Sequence, residues 1–274
     1  MSGGPPHAPC LMALDSVVLR SCHMRRLLFW YLPLAIAIVG CAIFASGFYA
    51  FLRGDIGTAV TVPSARVHAA SPRGAIVPLV LGDSLARGTG DESGLGIGGR
   101  LRQDLLSTHN DVRPVTNLAI NGARTRDLLE QLQSRNVQTL IAQSNVIVIS
   151  IGGNDLWGTT DVRALRLHNP ESVLEDVLGR VAEVVRAVRS ANPTARIFLV
   201  GLYNPLAMTP TGGVLSPLVS RWNARLLERF ATDPNVTVVP TADIFSHRDR
   251  LSFDRFHPSD EGYALIARRI ADSL

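Results

Sequence analysis

Nine residues, NVIVISIGG at 145–153, constrain the fold more than any other stretch of the chain. A continuous β-branched run with no polar alternation suits a strand buried on both faces. Such a strand needs layers above and below it, and the surrounding sequence supplies them. Apolar runs recur at IVPLVLG (76–82), ARIFLVGL (195–202) and VTVVP (236–240), with a weaker one at VRPVTNLA (112–119). Pro114 suits an edge position for that last run, because proline cannot donate to a ladder. Helical patterns lie between them. The clearest is 171–190, where Val173, Val177, Val181, Val184, Val185 and Val188 form one stripe; 215–230 and 260–273 also fit. Strand and helix alternating over 76–274 predict an α/β domain: about five parallel strands with helices on both faces, a three-layer α/β/α sandwich. Ligands of such sheets bind at the carboxyl ends of the strands.

Ahead of this domain the chain has a different character. Residues 27–52, LLFWYLPLAIAIVGCAIFASGFYAFL, carry no charge and are long enough to cross a bilayer as a helix. Pro33 is tolerated in such helices. Arg20, Arg25 and Arg26 precede the run, so residues 1–26 are expected to be a short cytoplasmic N-terminus, structureless over 1–23. The rest of the chain then faces outward, as a single-pass protein of a bacterial cell membrane. A cleaved signal peptide has a shorter apolar core. Ile38-Val39-Gly40-Cys41 resembles a lipoprotein cleavage box, but the residues after Cys41 stay apolar. Both remain as alternatives to the anchor, and Met24 is an alternative start to Met1. Residues 53–75, rich in Gly, Pro, Ser, Thr and Ala, read as a flexible linker.

Composition removes several classes of function. All 27 Lys+Arg residues are arginine. Without lysine there is no Schiff base and no P-loop lysine. The arginines are scattered rather than banded, which argues against nucleic acid as a partner. The three cysteines, Cys10, Cys22 and Cys41, all precede the α/β domain, so it holds no disulfide, cysteine nucleophile or cysteine zinc site.

The strand ends carry the chemistry. The first strand runs into Gly82-Asp83-Ser84, the second into the segment holding Gly122, the third into Gly152-Gly153-Asn154-Asp155, and the fifth leads to Asp254-Arg-Phe-His257-Pro258. A hydroxyl, a backbone NH beside glycine, a carboxamide, an imidazole and a carboxylate thus share one rim. Acyl transfer needs this set. A serine hydroxyl requires a base within reach, and an imidazole can take its proton and return it to the leaving group. A carboxylate holds that imidazole in the right tautomer. Donors must await the oxyanion, and the amides of Ser84 and Gly122 with the Asn154 side chain offer three. Each residue also has a plainer reading: Ser84 as a turn or cap, Asn154 as a turn cap, and His257 as a helix-start residue with Pro258 at the first helical position. Asp83 and Asp155 read as backbone braces, Arg124 as solvated, and His109, His168 and His247 as surface groups.

GDSL (82–85), NGART (121–125), GGND (152–155) and DRFHP (254–258), in that order, resemble the blocks of the SGNH/GDSL hydrolases. GLYNP (201–205) and SRWN (220–223) are similar to the bacterial lipase/acylhydrolase branch. The resemblance covers the chain from about Ile76 to the C-terminus. It implies a flavodoxin-like α/β/α fold, with Ser84 as nucleophile, His257 as base, Asp254 as its partner, and Ser84, Gly122 and Asn154 as oxyanion hole. The expected function is a serine esterase acting on small-molecule, lipid or carbohydrate esters through an acyl-enzyme, with no metal or organic cofactor. Alternatives are an O-acetylesterase or O-acyltransferase acting on carbohydrate or peptidoglycan, and, in another class, a non-catalytic binding module. Leu156, Trp157, Leu206 and Met208 are candidates for an apolar acyl site, and core packing explains them equally well. Two look-alike motifs fail. Gly94-Leu-Gly96-Ile-Gly98-Gly99 satisfies G-x-G-x-x-G but trails the first strand, and reads as a flexible loop beside the cleft. Residue 86 is alanine, so there is no G-x-S-x-G elbow.

Overall fold

The computed structural model describes residues 14–52, 74–157, 170–207 and 212–274. The chain divides into two compact units, Met1–Val67 and His68–Leu274. In the first unit, helix α1 spans Leu14–Leu52 and contains Pro33. Its stretch Phe29–Tyr49, 21 residues with mean hydropathy 2.0 and no burial, is long and apolar enough to cross a membrane by length and composition. The helix begins at Leu14, so part of the segment expected to be structureless is helical. Most of the expected linker lies outside the described residues.

The second unit is a five-stranded parallel sheet built from β1 (Pro78–Gly82), β2 (Thr116–Asn117), β3 (Val146–Ser150), β4 (Arg196–Val200) and β5 (Val236–Val239), in the order β2-β1-β3-β4-β5. Beside the strands run α2 (Ser84–Arg87), α3 (Gly96–Leu106), α4 (Thr125–Gln131), α5 (Arg135–Gln143), α6 (Gly153–Trp157), α7 (Pro170–Ala191), α8 (Gly212–Phe230) and α9 (Asp260–Ala271).

Alternate residues of the central strands feed two separate cores. Leu79, Leu81, Ile147, Ile149, Ile197 and Leu199 pack with side chains of α4, α5, α7 and α8. Val80, Val146, Val148, Phe198 and Val200 pack on the other face with side chains of α2, α3 and α9. Both faces of the sheet are covered, which is why these strands run apolar at consecutive positions rather than at every second one. The valine stripe of α7 lies as its spacing predicts: Val177, Val181, Val184, Val185 and Val188 are buried, and Val173 packs partly buried at the edge.

Two expectations change. The second strand shrinks to two residues, because Pro114 cannot join a ladder; an isolated bridge, Ile76 with Val112, precedes it. The glycine-rich stretch 94–99 is not a flexible loop. From Gly96 it forms the first turn of α3, and a Cβ on Gly98 would press on Val115 and Val80 at 2.8 and 3.1 Å. Glycine here brings the helix close to the sheet.

The order reverses between β1 and β3: the chain leaves β1 for β2 on one side, then returns to the other. A crevice therefore opens at the carboxyl ends of those two strands.

Candidate active site

Asp83 and Ser84 follow β1 directly. Gly82 closes the strand at φ +129°, where a Cβ would overlap the Ser150 carbonyl. The Asp83 amide donates to that carbonyl at 2.9 Å. The Asp83 carboxyl accepts from the Leu85 amide at 3.1 Å, capping α2, and from the Ser150 hydroxyl at 3.0 Å. Ser84 is thereby the first residue of a helix pinned to β3, and amides in that first turn have no partner within the helix. Burial pushes the Asp83 carboxyl up to about 6, against the lowering effect of its hydrogen bonds.

His257 and Asp254 come from a tight loop ahead of α9. The Ser252 amide donates to the His257 carbonyl at 2.8 Å, and Leu251 bridges to Pro258. Arg255 takes φ +56°, a costly conformation for a non-glycine residue, to complete the turn. Asp254 Oδ1 accepts from the Ser252 hydroxyl at 2.7 Å and from the Phe256 and His257 amides at 2.8 and 2.9 Å. Its Oδ2 lies 2.6 Å from His257 Nδ1. Partial burial works to raise the Asp254 carboxyl, but these hydrogen bonds outweigh it and hold the group well below the usual carboxylate range. An ionised carboxylate only accepts, so Nδ1 carries the proton and Nε2 is left as acceptor. Nε2 lies 2.8 Å from Ser84 Oγ. Residues 170 or more apart in sequence thus form one hydrogen-bonded line.

Ser259 caps α9, so Pro258 sits one position before the cap rather than at the first helical position. Asp83 and Asp155 are braces, as expected. Asp155 accepts from the Thr125 amide at 2.9 Å and hydroxyl at 2.6 Å, and Arg180 reaches both side chains, at 2.7 and 3.3 Å.

Asn154 lines the same recess as Ser84 and His257, and its Nδ2 donates to the Ala123 carbonyl at 2.9 Å. A carboxamide nitrogen has two hydrogens, so one remains. Gly122 sits at φ +78° in an exposed turn and is not among the residues lining the recess. Its segment is tied to the end of β1 by bonds from the Leu118 and Ile120 amides to the Val80 and Gly82 carbonyls, both 2.9 Å. Arg124 does not line the recess either. His109 and His247 are exposed; His168 and Met208 lie outside the described residues. Leu156 belongs to the core and Leu206 does not line the recess; the apolar walls are Leu85, Leu202, Tyr203, Pro205 and Phe256. The recess holds about 40 Å³. Among the described residues, no group of three or more His, Cys, Asp or Glu could hold a metal ion.

One feature of the site left no sequence signal. Asp91, its side chain fully buried, accepts from Arg100 at 3.1 and 2.9 Å, from Ser93 and from the Gly96 amide. Arg100 also reaches Asp260 at 3.2 Å, and Asp260 accepts from the Glu92 amide at 2.8 Å. The connection after Ser84 is thus tied to the helix after His257. Tyr263 adds a bond to the Thr89 carbonyl at 2.7 Å.

Residues 80–265 match the model of the GDSL-like lipase/acylhydrolase family. The chain belongs to that family. As a GDSL-type acylhydrolase it is an ester-hydrolysing enzyme. An uncharacterized Bacillus subtilis protein, YpmR, is 30% identical over 221 residues, 76% of this chain and 85% of the relative. The spore germination lipase LipC of Bacillus licheniformis is 26% identical over 206 residues, 69% of this chain and 92% of that one. Among solved structures, the lipase Lip_vut3 from a goat rumen metagenome superposes with a TM-score of 0.64 at 23% identity, covering 72% of this chain and 97% of the lipase. That likeness bears on the fold, and the five-stranded α/β architecture of the GDSL hydrolases is the one described above.

Proposed function

We propose that this GDSL hydrolase cleaves carboxylic esters through an acyl-enzyme on Ser84. The observation that carries the reading is the line from Asp254 through His257 to Ser84 Oγ, at 2.6 and 2.8 Å. His257 Nε2 takes the hydroxyl proton as Oγ bonds to the ester carbon, and the carbonyl electrons move onto oxygen. The Ser84 amide and the free Nδ2 hydrogen of Asn154, both at the recess, receive that oxyanion, with the Gly122 amide as the third donor that the family resemblance implies. Collapse breaks the bond to the alkoxy oxygen, which leaves with the proton from His257. Water repeats the sequence, its proton passing to His257 and then to Ser84 Oγ as the acid departs. Asp254 keeps the imidazole oriented and stabilises its cation.

Ser84→Ala tests this. The variant is expected to lose labelling by a fluorophosphonate probe and at least about 10³-fold in hydrolysis of p-nitrophenyl esters. Wild-type turnover by Ser84→Ala removes the assignment, and a folded wild-type protein that neither labels nor turns over supports a binding module instead.

We read α1 as a membrane anchor with the hydrolase domain outside the cytoplasm, on its apolar 21-residue stretch and the arginines before it. Protease added to spheroplasts is expected to digest the domain; protection overturns the orientation.

A further inference from the structure

We propose that the recess beside Ser84 is an acyl pocket whose depth Tyr203 limits, so that the substrates are esters of short acids, acetyl to butyryl. This rests on Ser84 being the nucleophile. At about 40 Å³ the recess is far smaller than the roughly 300–1,000 Å³ of a site that takes a drug-sized ligand. With the carbonyl carbon held at Ser84 Oγ, so small a recess has room for a short alkyl chain and not a long one.

Tyr203 is a wall that does not yield. Its hydroxyl donates to the Phe256 carbonyl at 2.6 Å. Its ring stacks on the buried Phe245 with centroids 3.9 Å apart. The backbone before it is held as firmly: Asn223 bonds both the amide and the carbonyl of Leu202, at 2.9 and 2.8 Å. Thr241 donates to the Gly201 carbonyl at 2.8 Å. A longer chain has to displace a ring fixed at both ends, and doing so frees the carbonyl of the residue next to His257. Chain length is therefore felt in kcat as well as in KM. Among the described residues the recess is only half enclosed, which leaves its open side for the alcohol.

The experiment uses the full chain and two ester series. One varies the acid from acetate to octanoate on p-nitrophenol, and the other varies the alcohol on acetate. Wild type is expected to lose at least about 10-fold in kcat/KM between butyrate and octanoate, since a mis-accommodated methylene is worth about 10–200-fold. The alcohol series is expected to vary less. Tyr203→Ala is expected to move the optimum to longer acids, and Tyr203→Phe, which keeps the ring, to retain the short-acid profile. Fluorophosphonate labelling confirms that each variant is folded and competent. Octanoate turned over as well as acetate by wild type overturns the proposal without reference to any variant. So does an unshifted profile in a labelled Tyr203→Ala protein, or discrimination that resides in the alcohol series. No labelling and no turnover by wild type instead removes the Ser84 reading on which the pocket depends.

Discussion

Asp83 and Ser150, 67 residues apart, share a hydrogen bond of 3.0 Å beneath Ser84, with both side chains out of solvent. The bond joins the carboxyl ends of β1 and β3 at the point where the sheet order reverses. It also places an ionisable group where ionisation is unfavourable.

That burial predicts an inverted stability profile. The Asp83 carboxyl titrates near 6 in the fold against an ordinary 3.8. Between these values the folded protein holds a proton that the unfolded chain has released. Stability from this group is therefore full below about pH 4, falls as pH rises to about 6, and is flat above, a loss of about 3 kcal/mol. Urea midpoints of wild type and Asp83→Asn across pH 4–7 check it. The variant is expected to lack the fall.

Asp254 acts with the opposite sign. Its lowered carboxyl adds stability above the ordinary carboxylate range, and that contribution disappears as pH falls well below 4. Asp254→Asn is expected to cost about 10³–10⁴ in kcat, because an amide nitrogen facing Nδ1 favours the wrong imidazole tautomer. Circular dichroism at neutral pH is expected to stay native, since the carboxylate is 30% exposed and lies on a surface loop. Steady-state kinetics of the folded variant measure the effect.

Arg100→Ala leaves the Asp91 carboxylate buried without its cation. Its side chain is 0% exposed, so removing the partner is expected to cost about 3–5 kcal/mol, read as a lower urea midpoint. Replacing both residues, as in Asp91→Asn with Arg100→Met, is expected to cost less than the single change.

Two glycines separate backbone need from mere occurrence. Gly82→Ala sets a Cβ into the Ser150 carbonyl at φ +129° and is expected to cost more than about 4 kcal/mol. Gly179, within α7, has nothing within 4 Å of an added Cβ. Gly179→Ala is expected to stabilise by about 0.5–1 kcal/mol. Thermal unfolding of the two variants gives the comparison.

Legibility followed the range of the interaction. NVIVISIGG announced a central strand, because burial on both faces writes itself into consecutive residues. The stripe of α7 announced a helix through its spacing. The residues that become Ser84, Asn154, Asp254 and His257 were visible as motifs following predicted strands. The stretch 94–99 misled, since the same glycines serve a mobile loop or a helix seated close on a sheet, and only Val80 and Val115 beneath Gly98 decide between them. The sequence leaves Leu156 and Leu206 open between an acyl site and the core for a related reason: apolar character does not say which cavity a side chain faces.

By itself, then, the sequence determined the strands, the three long helices of the domain and their order, because backbone periodicity and turn chemistry are local. It also determined which reactive groups stand at the strand ends. The tertiary structure decided the rest. It set the 2.8 Å between His257 and Ser84, the Asp91–Arg100–Asp260 tie that spans the two halves of the site, and the placing of Tyr203 against Phe245 and Phe256. Those depend on how distant helices and strands pack, and no short window of sequence contains all of the partners.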